Sequence, residues 1–210
     1  MHGSLGLMLV YVVFLGALMS PGPDFLIVLR NTLGQSARTG VFTALGIACA
    51  NSVHMTYCLA GIGLLIAHSI VLFDAIKWIG ALYLVYVGYH ALRSQGMALD
   101  DAGAAAPAAR KSDAQAFVSG FVTNVFNPKA TLFFLALFTQ MIDPAMPLAV
   151  KLAFCGVCMV TAFTWFSLVA FVMGVPPVRA AYVRASKGID RVFGGFFIAL
   201  GAKLALVRLS

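Results

Sequence analysis

Six long apolar stretches joined by short polar connections constrain this chain more than any other feature. They run from Leu5 to Leu29, from Val41 to Ala67, from the neighbourhood of Asp74 and Lys77 through Ile79 to Leu92, from Ala116 to Phe138, from Leu148 to Gly174 and from Ile189 to Val207. Most approach or exceed the roughly 20 residues a helix needs to cross a hydrocarbon layer about 30 Å thick. Of 210 residues, 61% are hydrophobic and 10% are charged, with a mean hydropathy of +0.96. A soluble domain carries roughly 25% charged residues, so this composition leaves too few for a water-facing surface. The expected fold class is an all-α polytopic membrane protein with six transmembrane helices. The formal charge of +7 does not point to nucleic acid, because the basic residues lie singly between apolar segments instead of in one patch. The N-terminal stretch is read as the first helix and not as a removable leader, since no basic residue precedes Arg30 and a proline-rich break lies where cleavage would fall.

Two of the six stretches are interrupted, each by proline beside a single charge. The first carries Ser20-Pro21-Gly22-Pro23-Asp24, and the fourth carries Phe126-Asn127-Pro128-Lys129. Proline removes a backbone hydrogen bond and clashes with the preceding turn, so in lipid the freed carbonyls must find partners in protein, water or a ligand. A charge at the bilayer centre costs at least about 2.5–3.5 kcal/mol on insertion scales, which turns Asp24 and Lys129 toward the interior. A polar site between the two breaks follows, with Pro23 and Pro128 shaping it and Asn124, Asn127, Asn51 and His54 as candidate members. Asn124 and Asn127 either bind a ligand or satisfy broken backbone. His54 shares a helix face with Asn51 and serves either as a proton relay or as a donor to a neighbouring carbonyl. Asp24 and Lys129 either hold substrate and proton or pair with each other and fasten the two halves.

Those halves are residues 1–93 and 116–210, each with three helices, joined by a flexible linker over 94–115 rich in alanine and balanced charge. Set against each other from the breaks, Pro23-Asp24 falls on Pro128-Lys129, and Gly80 through Gly88 to Arg93 falls on Gly194 through Gly201 to Arg208. Three helices are an odd number, so the second half runs inverted relative to the first. Inverted repeats with broken helices place substrate and coupling-ion sites near the midplane. Leaving Lys129 aside, nine basic residues (Arg30, Arg38, Arg93, Arg110, Lys111, Arg179, Arg184, Lys187 and Arg191) share one side, against Lys77, Lys151, Lys203 and Arg208 on the other. The positive-inside rule puts the nine, and the linker, in the cytoplasm and both termini outside.

The chain resembles the lysine exporter and homoserine/threonine resistance type of amino-acid translocator over nearly its whole length. The resemblance rests on Ser20-Pro21-Gly22-Pro23-Asp24, on Gly40-Val41-Phe42-Thr43-Ala44-Leu45-Gly46-Ile47, on Gly80-Ala81-Leu82-Tyr83-Leu84 with Gly88, and on Gly120-Phe121 through Asn127-Pro128-Lys129-Ala130. Two positions depart from that pattern, Ala50 in place of a glycine and Phe138-Thr139-Gln140-Met141 without a proline. The resemblance implies efflux of small amino acids or similar metabolites in exchange for protons, from a bacterial cytoplasm across the inner membrane. With no glycine-rich phosphate loop, metal triad or serine-base constellation and only short loops, the sequence leads to an expectation of no enzyme chemistry, cofactor, metal or nucleic acid, and a homo-oligomer stays open. A zwitterion also suits the breaks physically, since a half-helix N-terminus attracts a carboxylate and freed carbonyls receive an ammonium.

Rival readings rest on the cysteines. Cys155-Gly156-Val157-Cys158 has redox or metal spacing, which would make the chain a soft-metal exporter or a membrane thiol–disulfide electron carrier. The plainer reading treats both thiols, with Cys49 and Cys58, as small apolar fillers. A scaffold without substrate is a further rival. The glycines at 46, 61 and 63 are expected at close helix contacts, Asp74 and Lys77 as a pair on one helix face, and Phe133-Phe134 as bulk facing lipid.

Overall fold

The computed structural model describes residues 2–68, 70–97, 111–141 and 146–206. Among these the chain is helical: α1 (His2–Met19), α2 (Pro23–Gly34), α3 (Ala37–His68), α4 (Ile70–Arg93), α5 (Asp113–Val125), α6 (Pro128–Met141), α7 (Leu148–Val172) and α8 (Pro176–Leu206). The side chains of Asp74, Lys77, Gly61 and Gly63, and most of the 94–115 linker, lie outside the described residues.

Both proline breaks are present. The axis turns by 47° between Leu7–Met19 and Pro23–Gly34. Gly22 is extended at the junction, and α2 restarts at Pro23, where proline's missing N–H costs nothing because a first-turn N–H has no intrahelical partner. In the fourth stretch α5 stops at Val125, and α6 restarts at Pro128 by the same logic. Asn127 caps it, its Oδ1 accepting from Lys129 N at 3.0 Å.

Three expectations need correction. Helix α5 begins at Asp113 instead of Ala116, because Ser112 and Gln115 form a capping box: Ser112 Oγ accepts from Gln115 N and Gln115 Oε1 accepts from Ser112 N. The connection expected over 174–188 is mostly the start of α8. Pro176 and Pro177 occupy its first turn, where proline is tolerated, and Tyr182 stacks on Phe25 with ring centroids 4.7 Å apart. Phe133 and Phe134 do not face lipid. Both are buried, because the restart of α6 turns their face inward, where Phe134 stacks on His54 and meets Phe14.

Helix α3 packs along α5, and α4 along α8. Glycine permits both contacts. A Cβ on Gly46 would collide with the Phe117 carbonyl oxygen, and one on Gly120 with the carbonyl oxygen of Thr43. On the other pair, Gly88 faces Gly194 while Gly201 faces Ala81, so α4 and α8 run antiparallel. Such small-residue contacts are how helices approach closely where no hydrophobic driving force acts between them.

The outside is apolar and the inside carries the polar groups. Leu82, Phe171 and Val192 are 64%, 63% and 70% exposed, while Asn31, Asn51, His54, Asn124 and Asn127 are buried. That inversion is what a protein solvated by lipid requires. Among the described residues, Leu148–Val172 is long and apolar enough to cross a bilayer as one helix, and the bent pair Leu7–Met19 with Pro23–Gly34 qualifies together.

Candidate functional site

The two breaks meet across a cavity of about 40 Å³ lined by Ser20, Gly22, Asp24, Asn51, Asn124, Asn127 and Lys129, with Phe14, Phe133, Phe134 and Phe166 among its apolar walls. Such a space holds a few water molecules and no larger solute. Asp24, in the first turn of α2, is held from the opposite break: Asn124 Nδ2 donates to its Oδ2 at 2.9 Å and Asn127 Nδ2 to the same oxygen at 3.2 Å. Its other oxygen, Oδ1, has no hydrogen-bond partner, and neither does Asn124 Oδ1. Two buried acceptors therefore stand unpaired at one site, where native proteins leave few such groups.

Lys129 crosses in the other direction. From the first turn of α6 its Nζ donates to Ser20 Oγ at 3.2 Å and to the Ser20 carbonyl at 3.4 Å. Asp24 and Lys129 form no direct ion pair; among the described residues the ion pair is Arg38–Asp113, at 2.7 Å on the surface. Gly22 makes room for the ammonium, since a Cβ there would lie 3.3 Å from Nζ. Helix α2 has no side-chain cap, so its first N–H groups lack intrahelical partners beside that cation.

Three carbonyls at the first break receive side-chain donors. Trp165 Nε1 donates to Leu18 O at 3.0 Å, Tyr182 OH to Met19 O at 3.0 Å, and Lys129 Nζ to Ser20 O. Three donors thus come from α7, α8 and α6. Trp165→Phe leaves the Leu18 carbonyl buried without a donor and is expected to cost about 1–3 kcal/mol. Thermal unfolding of the purified protein in detergent should show the loss, and an unchanged midpoint would show that this bond does not hold the break.

His54 answers the second break. Its Nε2 lies 3.1 Å from the Asn124 carbonyl and its Nδ1 lies 2.7 Å from Tyr57 OH. A carbonyl only accepts, so Nε2 carries the proton and the tyrosine hydroxyl donates to Nδ1. Of the residues anticipated from the sequence, Asp24, Lys129, Asn124, Asn127 and Asn51 line the cavity. His54 sits behind Asn124, and Pro23 and Pro128 are exposed at their helix starts, outside the lining. Sequence reasoning gave no role to Ser20, Tyr182 or Asp190, although Asp190, a lone acid in an apolar helix, carried the usual signal of a functional group. Ser20 Oγ donates to Asp190 Oδ1 at 3.1 Å.

The LysE type translocator family model matches residues 15–208. The chain belongs to that family. The translocator is 32% identical to the threonine efflux protein of Salmonella typhimurium over 200 residues, which cover 95% of this chain and 97% of that one. It is 32% identical to the threonine efflux protein of Escherichia coli K12 over 202 residues, with coverage of 95% and 97%. Against the leucine efflux protein of Salmonella choleraesuis it is 26% identical over 215 residues, covering 99% and 100%. No solved structure matches it. The family is one of transporters, so the translocator is a membrane protein of the amino-acid efflux class.

The cysteines stand apart from the cavity. All four are free, and Cys58 and Cys158 are buried. Among the described residues, no group of three or more His, Cys, Asp or Glu side chains is placed to hold a metal ion. Alanine at both Cys155 and Cys158 is expected to leave amino-acid transport at the parent rate in reconstituted vesicles; loss of transport would return the thiols to the mechanism.

Proposed function

We propose that this translocator exports small amino acids, threonine first among them, across the bacterial inner membrane in exchange for protons, by alternating access around the cavity between the breaks. One observation carries the reading: Asp24 and Asn124, each with a buried Oδ1 that has no hydrogen-bond partner, line the same cavity as Lys129. Two acceptors suit the ammonium of an amino acid, and a lysine beside an uncapped helix start suits its carboxylate. Asp24 then takes the proton when the amino acid leaves, so that the buried carboxylate is compensated in either state. The chain length and sequence likeness to proteins named for threonine and leucine efflux support the substrate class.

The six-helix reading treats α1 with α2, and α5 with α6, as one broken crossing each, giving two halves of three. Its support is the break at the head of each half and the antiparallel course of α4 and α8, the last helices of the two. A cavity of about 40 Å³ is too small for threonine, so substrate binding requires the halves to part. The nine basic residues set the cytoplasmic side.

Efflux from liposomes preloaded with an amino-acid mixture, with and without an acidic exterior, tests this. Threonine or a neighbour in size is expected to leave faster than from empty-lipid controls, and faster again with external acid. A folded, inserted protein that moves no amino acid above the control would overturn the proposal.

A further inference from the structure

Asp190 is a buried carboxylate with no part in the exchange just described. It lies on α8, 5% exposed, and both of its oxygens are engaged. Oδ1 accepts from Ser20 Oγ at 3.1 Å, and Oδ2 accepts from Ser94 Oγ at 2.6 Å. The two serines are distant in sequence. Ser20 sits in the break between α1 and α2, and its hydroxyl accepts from Lys129 Nζ at 3.2 Å. A hydroxyl has one proton to give, so Ser20 receives from the lysine while donating to Asp190. The result is a cation–hydroxyl–carboxylate chain in a region of low dielectric, where linked hydrogen bonds strengthen one another.

Ser94 begins the short segment that follows α4. While donating to Asp190, its Oγ accepts from Gly96 N at 2.9 Å. Met97 N donates to Ser186 Oγ at 2.9 Å, and Lys187 Nζ to Gln95 Oε1 at 3.2 Å. Gly96 adopts a φ of +80°, and a Cβ there would come within 2.7 Å of Ser186 Oγ. Residues 94–97 are thereby clasped against α8, with Met97 only 9% exposed. The shortest tie in the clasp is the one to Asp190, which is also the one joined to the cavity.

We propose that Asp190 is the resting counter-ion of Lys129, joined to it through the Ser20 hydroxyl, and that a substrate carboxylate arriving at Lys129 breaks this link and releases residues 94–97 from α8. Once Lys129 turns to the substrate, Asp190 is a buried charge without its partner. Any arrangement that returns water to it is then favoured, and opening the clasp is the nearest.

This rests on the exchange reading, and the test separates the two. Met97→Cys is made in a chain with alanine at Cys49, Cys58, Cys155 and Cys158, the protein is placed in lipid nanodiscs, and its rate of reaction with a water-soluble maleimide is measured. Labelling is expected to be slow at rest and about 10-fold faster with saturating threonine, or with whichever amino acid leaves fastest in the efflux experiment; that is the size expected from loss of one charge-assisted hydrogen bond. Asp190→Asn is expected to label about 10-fold faster without any amino acid, and to lower the KM for transport, since no carboxylate then competes for Lys129. Ser94→Ala cuts only the outer end, so it should label fast while keeping the parent KM.

Parent-like labelling of Asp190→Asn overturns the clasp whatever is transported, and an unchanged KM in that variant overturns the competition for Lys129. Should Asp190→Asn not fold, parent-like labelling of Ser94→Ala overturns the clasp in its place. A protein that moves no amino acid overturns the exchange reading and the substrate-driven release with it, while the labelling of Asp190→Asn still decides whether the carboxylate holds the segment.

Discussion

Asp24→Asn is expected to lower amino-acid exchange by about 10- to 100-fold at substrate concentrations below saturation, the equivalent of one charge-assisted hydrogen bond of about 1.5–3 kcal/mol. The substituted amide keeps an oxygen for Asn124 and Asn127 to donate to, so the link between the breaks survives. Removing a buried charge relieves a desolvation cost as well. The thermal midpoint should therefore hold or rise while transport falls. Opposite movements of stability and activity mark a group kept for function. Were the variant to transport at the parent rate, Asp24 would be excluded both as ammonium acceptor and as proton site.

Gly46→Ala should do the reverse and damage the fold first. The added methyl would run into the Phe117 carbonyl and the Phe121 amide, both backbone groups of α5 that cannot swing aside as a side-chain tip does. Overpacking of this kind costs about 1–3 kcal/mol, and more where the neighbour is rigid. The expense falls on the site too, because α5 carries Asn124 and the same face of contact holds Asn31 Nδ2 to Thr43 and Ser119 at 2.8 and 2.9 Å. Gly156→Ala is the control: nothing lies within 4 Å of its Cβ position, and alanine favours helix over glycine by about 0.5–1 kcal/mol. Melting curves in detergent should separate the two, Gly46→Ala falling by several degrees and Gly156→Ala holding or rising. Equal midpoints would mean that the α3–α5 contact is looser than described.

How much of this was legible in the sequence depended on how local the cause was. The breaks at Pro23 and Pro128 were, because proline acts on its own turn whatever surrounds it. Asp24, Lys129, Asn124, Asn127 and Asn51 were placed near one another by the expense of leaving polar groups in lipid, which forces them inward without saying which atom meets which. The pairing itself was not legible. Asp24 and Lys129 are opposite charges at matched positions, yet each is held by neutral groups of the other half, a choice made by distances that only packing sets. The inward facing of Phe133 and Phe134 is illegible for the same reason, since apolar residues in an apolar helix give no sign of which face turns inward. The capping box at Ser112 and Gln115 was readable as a Ser-x-x-Gln signature but sits in a stretch whose composition suggested only a linker. Asp190 stands out as a lone acid, but the basic residues before it read as a connection and hide the helix that carries it.

The phenylalanine walls of the cavity have a bearing on the membrane as an insulator. Phe14, Phe133, Phe134 and Phe166 narrow the space around two ionisable groups to about 40 Å³, room for a few water molecules. Protons hop along water threads, so an exchanger of the kind proposed gains from rings that keep the water around Asp24 and Lys129 to a few molecules between rounds of transport.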